Sequence, residues 1–181
     1  MEHAVKRELE KIAGSEYVID FTRPEFFAYL FGDATMYRSH PMYVVYPSNA
    51  KEVSRVIKLA GDNFVPVIPA GGLTGLSGGA ICQGGILLNC SRMNRVLKVD
   101  VINRTVTVEP GVSCAEINAT LAKHGMIVPV TPASHLISTI GANLAESAGG
   151  TFGMSKGTFR NYLLSLQVVD GLGRIFRTGA P

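Results

Sequence analysis

Charge is scarce in this sequence. Only 17% of residues are charged and 46% are hydrophobic, against a usual charged share of about 25%. That balance excludes a disordered chain, because ample apolar surface is available to offset the entropy of ordering. Basic residues exceed acidic ones by 17 − 14 = 3. They are scattered, with no run of one sign, so no footprint for nucleic-acid phosphates is expected. Long apolar runs are missing as well: nothing approaches the ~18 residues of a membrane helix. The segment from Met1 to Lys11 has no apolar core of a secretion signal. The three cysteines, Cys82, Cys90 and Cys114, show no C-x-x-C spacing, so neither a disulfide framework nor a metal site is signalled. They read as buried free thiols. A soluble cytoplasmic protein is expected, and its 181 residues suit one domain of roughly 100–200.

Two common nucleotide signatures are also absent. There is no G-x-G-x-x-G, which excludes the Rossmann fingerprint, and no Gly-Lys-Ser/Thr, which excludes a triphosphate P-loop. What the chain has instead is glycine in two places. Of its 20 glycines, seven fall between Gly71 and Gly85 and five between Gly141 and Gly157.

The patterning around these loops alternates strands with helices. Val5, Leu9, Ile12 and Ala13 share a helical face, and an aromatic-rich stretch follows from Tyr17 to Tyr37, with Phe26, Phe27, Tyr29 and Phe31. Residues 1–40 thus read as an N-terminal helical arm that docks elsewhere, and 41–181 as the main domain. Tyr43 to Tyr46 reads as a buried strand, and Asn49 with Glu52 opens an amphipathic helix that Gly61 can end. Val65 to Pro69 forms the next strand and runs into the first glycine loop. Ile86 to Leu88, Val96 to Val99 and the alternating Thr105 to Val108 are further strands. Ser113 and Glu116 form a capping box for a helix that Gly125 terminates. Leu164 to Val169 and Arg174 to Arg177 are two last strands. Parallel and antiparallel pairing are mixed, an α+β layout rather than a doubly wound sheet.

The first loop is Pro69-Ala70-Gly71-Gly72-Leu73-Thr74-Gly75-Leu76-Ser77-Gly78-Gly79. Each glycine costs roughly 0.5–1 kcal/mol of extra backbone entropy relative to alanine. A tight turn needs one or two, so this density points to a ligand approached closely by backbone N–H groups, and anion-binding concavities are built that way. Thr74 and Ser77 add hydroxyls suited to phosphate oxygens. In the second loop, Ser138 or Thr139 can cap a short helix. His135 reads as a loop histidine, and His40 and His124 as structural. Asp33, Asp100 and Asp170 sit in turn-like sequence and read as solvated or capping groups. No residue has the setting of a catalyst.

Taken in order, Tyr46-Pro47-Ser48 with Glu52-Val53, the first loop, Val108-Glu109-Pro110-Gly111-Val112, Ser138-Thr139-Ile140-Gly141-Ala142-Asn143, Ala148-Gly149-Gly150 and Val168-Val169-Asp170-Gly171 form one series. The series resembles the FAD-binding domain of the flavoprotein family that contains vanillyl-alcohol oxidase and p-cresol methylhydroxylase. The branch with the glycolate oxidase flavin subunit and D-lactate dehydrogenases fits best. The resemblance runs from about Pro41 to the end.

It implies an α+β fold of two subdomains clasping FAD, with mixed and antiparallel sheets and flanking helices. Pro69, Ala70, Gly71, Gly72, Leu73, Thr74, Gly75 and Leu76 would wrap the pyrophosphate. Pro132, Ala133, Ser134, Ser138, Thr139, Gly141 and Ala142 would lie along the pyrophosphate, ribityl chain and isoalloxazine. Ala145, Glu146, Ser147, Ala148 and Gly149 would continue that wall, and Val169 would meet the adenine region. Relatives often carry Gly at the positions of Leu73 and Ala142, and Arg at that of Ala70. Leu73 is tolerable if its φ is negative, and Ala142 would add a methyl near the cofactor. No histidine occurs between Pro69 and Gly79, so non-covalent FAD is expected. For the full-length enzymes the resemblance implies oxidation of a small 2-hydroxy acid at flavin N5 while a base takes the hydroxyl proton. It also implies an electron-accepting partner such as an iron–sulfur protein, an electron-transfer flavoprotein or a quinone. Relatives are more than twice as long, and their later part supplies the substrate residues. The chain therefore reads as a fragment or a minimal flavin module, inactive alone. The alternative is a non-enzymatic flavin- or nucleotide-binding module. A flavin reductase of cell-wall precursor synthesis fits the Thr74-to-Gly79 run poorly.

Overall fold

The computed structural model describes residues 2–20, 22–29 and 37–179; Phe31 and Asp33 lie outside them. The chain divides into two compact units, one of residues 1–70, 75–92 and 164–181, the other of 71–74 and 93–163.

The first unit is built on a four-stranded sheet. Helix α1 (Glu2–Ala13) buries Val5, Leu9 and Ala13, the face its spacing predicts. Strand β1 (Val18–Ile19) then pairs antiparallel with β2 (Tyr43–Val45). This two-residue strand was not expected: it hides within the aromatic stretch, whose Phe26 is buried. Helix α2 (Ala50–Asp62) starts where Asn49 Oδ1 accepts from the N–H groups of Lys51 and Glu52. The Glu52 carboxylate completes the cap by accepting from Ser48 N–H at 2.8 Å and from Asn49 Nδ2 at 2.9 Å. The helix passes through Gly61 and ends at Asn63, whose N–H bonds to Ala60 and Gly61 carbonyls.

Strand β3 (Val67–Ala70) pairs parallel with β4 (Ile86–Asn89), and β4 pairs parallel with β2, giving the order β1-β2-β4-β3. Residues Val65 and Pro66 stay outside β3, since proline offers no N–H to a ladder. Ile19, Val44, Leu87, Phe26 and Cys82 form this unit's buried core. The hairpin β7 (Ser165–Val169) and β8 (Ile175–Gly179) turns through Asp170, which accepts from Leu172 N–H and Arg174 N–H. The hairpin joins α2 through a hydrogen bond from Ser54 Oγ to Gly173 O.

The second unit holds the antiparallel pair β5 (Val96–Asp100) and β6 (Thr105–Val108), with Asp100 capping the turn on Asn103 N–H. Helix α3 (Cys114–Ala122) packs Ile117 and Leu121 on their valines. Its Ser113–Glu116 capping box is formed in both directions, and Gly125 with φ +66° turns the chain away after it. Two short helices follow, α4 (Ile140–Ala145) and α5 (Gly153–Lys156). Val130, Cys114 and Phe159 fill a second small core. Cys82 and Cys114 are buried and Cys90 half-buried. Burial pushes all three thiols up, Cys90 to about 11, so they stay protonated and unreactive. Among the described residues no helix is long and apolar enough to cross a membrane.

Candidate cofactor-binding site

Four residues of the first glycine loop, Gly71 to Thr74, belong to the second unit, where they pack on the second loop. Gly71 is buried, and a Cβ there would lie 2.1 Å from Thr139 Oγ1 and 3.1 Å from Ala142 Cβ. At Gly72 a Cβ would lie 2.3 Å from the Ile137 carbonyl oxygen. Gly141 meets a third neighbour: its Cβ would fall 2.7 Å from Pro110 Cβ. These glycines are therefore required by close contacts within the chain, which bare density does not reveal. The Ala142 methyl faces Gly71 on the same evidence, so it acts first on loop packing. Gly75 differs, with nothing within 4 Å of its Cβ position.

A strap of backbone holds the second loop in place. Gly141 N–H donates to Pro110 O at 2.8 Å and Ile140 N–H to Val112 O at 2.9 Å. From the other side, Ala115 N–H donates to His135 O at 3.1 Å and Cys114 N–H to Ser138 O at 3.4 Å. The Pro110-Gly111-Val112 motif thus supports the loop. Sequence reading singled it out without a role. Ile137 and Ser138 N–H groups both close on Ser134 O at 2.8 Å, and His135 Nδ1 lies 3.2 Å from Pro132 O, turned onto its own loop.

Two features of this arrangement are left unsatisfied within it. Thr139 precedes α4 but its side chain makes no cap bond, and its buried Oγ1, packed against Gly71, has no hydrogen-bond partner among the described residues. An unpaired buried hydroxyl costs about 1–3 kcal/mol, so such groups call for an explanation. Also, among the described residues, none of the backbone N–H groups from Gly71 to Thr74 donates a hydrogen bond. A run of open amides in a loop is the donor set that a phosphate takes. The residues present fit a diphosphate-bearing cofactor.

Strain gathers here too. Leu73 has φ +55° and Ser147 φ +51°, a left-handed conformation that costs a non-glycine residue roughly 1–2 kcal/mol. The condition of a negative φ, under which Leu73 would be tolerated without cost, is thus not met. The side chain escapes a clash by pointing outward, 42% exposed. Ser147 is held by contact of its Oγ with Thr158 Oγ1 at 3.2 Å. Ala145 ends α4, and Glu146 caps it by donating to Ala142 O. Ala148 N–H donates to Asn143 O at 2.7 Å, and Gly149 has only Thr158 Cγ2 near its Cβ position.

The remaining expected residues fall in two places. Pro132, Ala133 and Ser134 lie in the second unit with the loop. Pro69, Ala70, Gly75, Leu76 and Val169 belong to the first, with Pro69 and Ala70 ending β3 and Val169 ending β7. Sequence reading gave no role to Cys114 or Asn143, which are buried directly behind Ser138. A polar side chain on the inner face of a six-residue helix was the available signal. Among the described residues no three His, Cys, Asp or Glu gather as metal ligands.

An α+β fold carrying two facing glycine-containing loops with open backbone amides is the class these features define. The sequence profile of the FAD binding domain family matches residues 41–179, and the chain belongs to that family, whose cofactor is FAD. It is 36% identical over 176 residues to glycolate oxidase subunit GlcD of Bacillus subtilis (strain 168), covering 97% of this chain and 37% of that one. It is 40% identical over 137 residues to a D-lactate dehydrogenase of Archaeoglobus fulgidus, covering 75% of this chain and 30% of the relative. Among solved structures, p-cresol methylhydroxylase with substrate bound superposes with a TM-score of 0.80 at 18% identity, over 98% of this chain and 35% of the other. An alkyldihydroxyacetonephosphate synthase gives 0.81 at 25% identity, over 93% and 33%. The α+β class with mixed and antiparallel sheets is that of these neighbours. The chain spans roughly a third of the length of these proteins.

Proposed function

We propose that Gly71 to Thr74 and Ser138 to Ala142 cradle the diphosphate of FAD, held without a covalent bond, with Pro132 to Ser134 and Ala145 to Gly149 along the rest of the cofactor. The observation that carries this reading is the pairing of an unpartnered, buried Thr139 hydroxyl with a run of open amides on the facing loop. Thr139 Oγ1 and the amides bind and orient the phosphates, and the exposed Leu136 and Ile137 give the loop an apolar rim. The absence of histidine between Pro69 and Gly79 supports non-covalent attachment. When bound, FAD supplies the two-electron chemistry, and the protein supplies binding and orientation.

The protein to which this domain belongs is, on this reading, an oxidoreductase of a small 2-hydroxy acid. Support comes from the names of its relatives, which include glycolate oxidase, D-lactate dehydrogenase and a D-2-hydroxyglutarate dehydrogenase at 34% identity. The test of the cradle is titration of the flavin-free chain with FAD and with riboflavin, followed by visible absorption. Tight uptake of FAD with much weaker uptake of riboflavin is expected, since only FAD has phosphates. Equal affinity for both overturns the cradle. The substrate half is tested on the natural-length protein, by reduction of a dye with glycolate, D-lactate or D-2-hydroxyglutarate. Reduction by none of these, in a protein that retains FAD, reduces the reading to a flavin-binding module.

A further inference from the structure

Behind the cradle lies a small polar cluster in which Ser138 meets two residues, Asn143 and Cys114, that are outside the proposed binding set. Asn143, on the inner face of α4, is 5% exposed. Its Nδ2 donates to Cys114 Sγ at 3.0 Å and to Ser138 Oγ at 3.2 Å. Cys114 Sγ and Ser138 Oγ are themselves 3.9 Å apart, and both residues are buried. The amide therefore bridges the first residue of α3 to the residue preceding Thr139. Its backbone bridges as well: Asn143 N–H donates to Thr139 O at 2.9 Å, and Asn143 O accepts from Ala148 N–H at 2.7 Å. The strap from Pro110 to Ala115 pins this segment through its backbone and through the long Cys114 Sγ–Ser138 Oγ contact. The shorter bond from Asn143 is the second side-chain restraint on the Ser138 hydroxyl, and with it on the entry into Thr139.

We infer that Asn143 is a positioning residue for the cofactor: it touches no ligand, but sets the Ser138–Thr139 segment against the phosphates by tying Ser138 to Cys114. This inference rests on the cradle reading. A buried polar network acts as a unit when every member is satisfied. Removing the donor leaves Ser138 Oγ with only the long Cys114 Sγ contact to hold it, and displaces the segment that carries the unpartnered Thr139 hydroxyl. A residue needed only for folding would lower stability without changing the bound flavin's environment.

The decisive variants are Asn143→Leu, close in volume and without donors, and Cys114→Ser, which keeps an acceptor at nearly the same place. In the full chain, FAD affinity measured on the folded fraction should fall about tenfold or more for Asn143→Leu. The visible circular dichroism of its bound flavin should shift. Cys114→Ser should keep affinity within about threefold of the parent, well under the 1.4 kcal/mol of a tenfold change. Amide hydrogen exchange in the flavin-free chain should quicken at residues 138–141 in Asn143→Leu, and stay as in the parent in Cys114→Ser. Unchanged affinity and dichroism in a folded Asn143→Leu protein overturn the inference while leaving the cradle intact. If Asn143→Leu does not fold, a tenfold loss in Cys114→Ser overturns it and retention there supports it. A parent chain that takes up no FAD overturns the cradle and this inference together.

Discussion

The two ends of the Gly71–Leu76 segment have the same composition and opposite reasons for it. Gly71 and Gly72 lack side chains because Thr139 and the Ile137 carbonyl occupy the space where a Cβ would sit. Gly75, three residues on, faces nothing of the protein within 4 Å and has no positive φ that would require glycine. The first pair is a packing requirement, and the second position meets no neighbour among the described residues. Glycine density is thus two signals superimposed.

That contrast can be broken at several points. The largest effect is expected from Gly72→Ala, whose methyl meets a backbone oxygen that cannot rotate away. Overpacking costs typically about 1–3 kcal/mol, so the thermal midpoint should fall by several degrees and FAD uptake should be lost with it. A midpoint equal to the parent's would mean the loops are not held as described. Gly71→Ala should cost nearly as much, but here the obstacle is a side chain. Adding Thr139→Ala should restore stability and leave FAD affinity low, because the orphan hydroxyl is then gone. Recovery of both in the double variant would separate Thr139 from the cofactor. Gly75→Ala should act the other way. Stability should hold or rise by about 0.4–1 kcal/mol, since the unfolded chain is stiffened. A clearly lower thermal midpoint would mean that Gly75 does not face open space as described. The smallest change is expected for Leu73→Gly, which relieves left-handed strain of roughly 1–2 kcal/mol and loses part of it to glycine's backbone entropy. A modest net gain in denaturant midpoint is the outcome to look for.

Much of this architecture was legible in the sequence because its causes are local. Asn49, Ser113 and Gly125 are helix-end residues acting within a few positions of themselves. The alternation of Thr105 to Val108 reports one buried face. Strand β1 was not legible, because two residues give no period and its reason for being a strand is the edge of β2. The site was half legible. The two loops were found, but the partners that make Gly71, Gly72 and Gly141 obligatory lie about seventy and thirty residues away. The same distance hid Asn143 and Cys114, whose importance depends on what stands opposite each of them. Leu73 shows a further limit: its sequence left the sign of φ open, and the backbone adopts the rarer, positive one.

One consequence of the sheet order concerns behaviour at high concentration. Strand β3 borders the four-stranded sheet, with β4 as its partner among the described residues. Of its four residues one is Pro69, and Pro66 stands just ahead of it. A neighbouring copy seeking to extend the sheet would find a border too short and too poor in donors to template it. Self-association by strand addition is disfavoured along this border, so any dimer detected by light scattering should be sought on another surface.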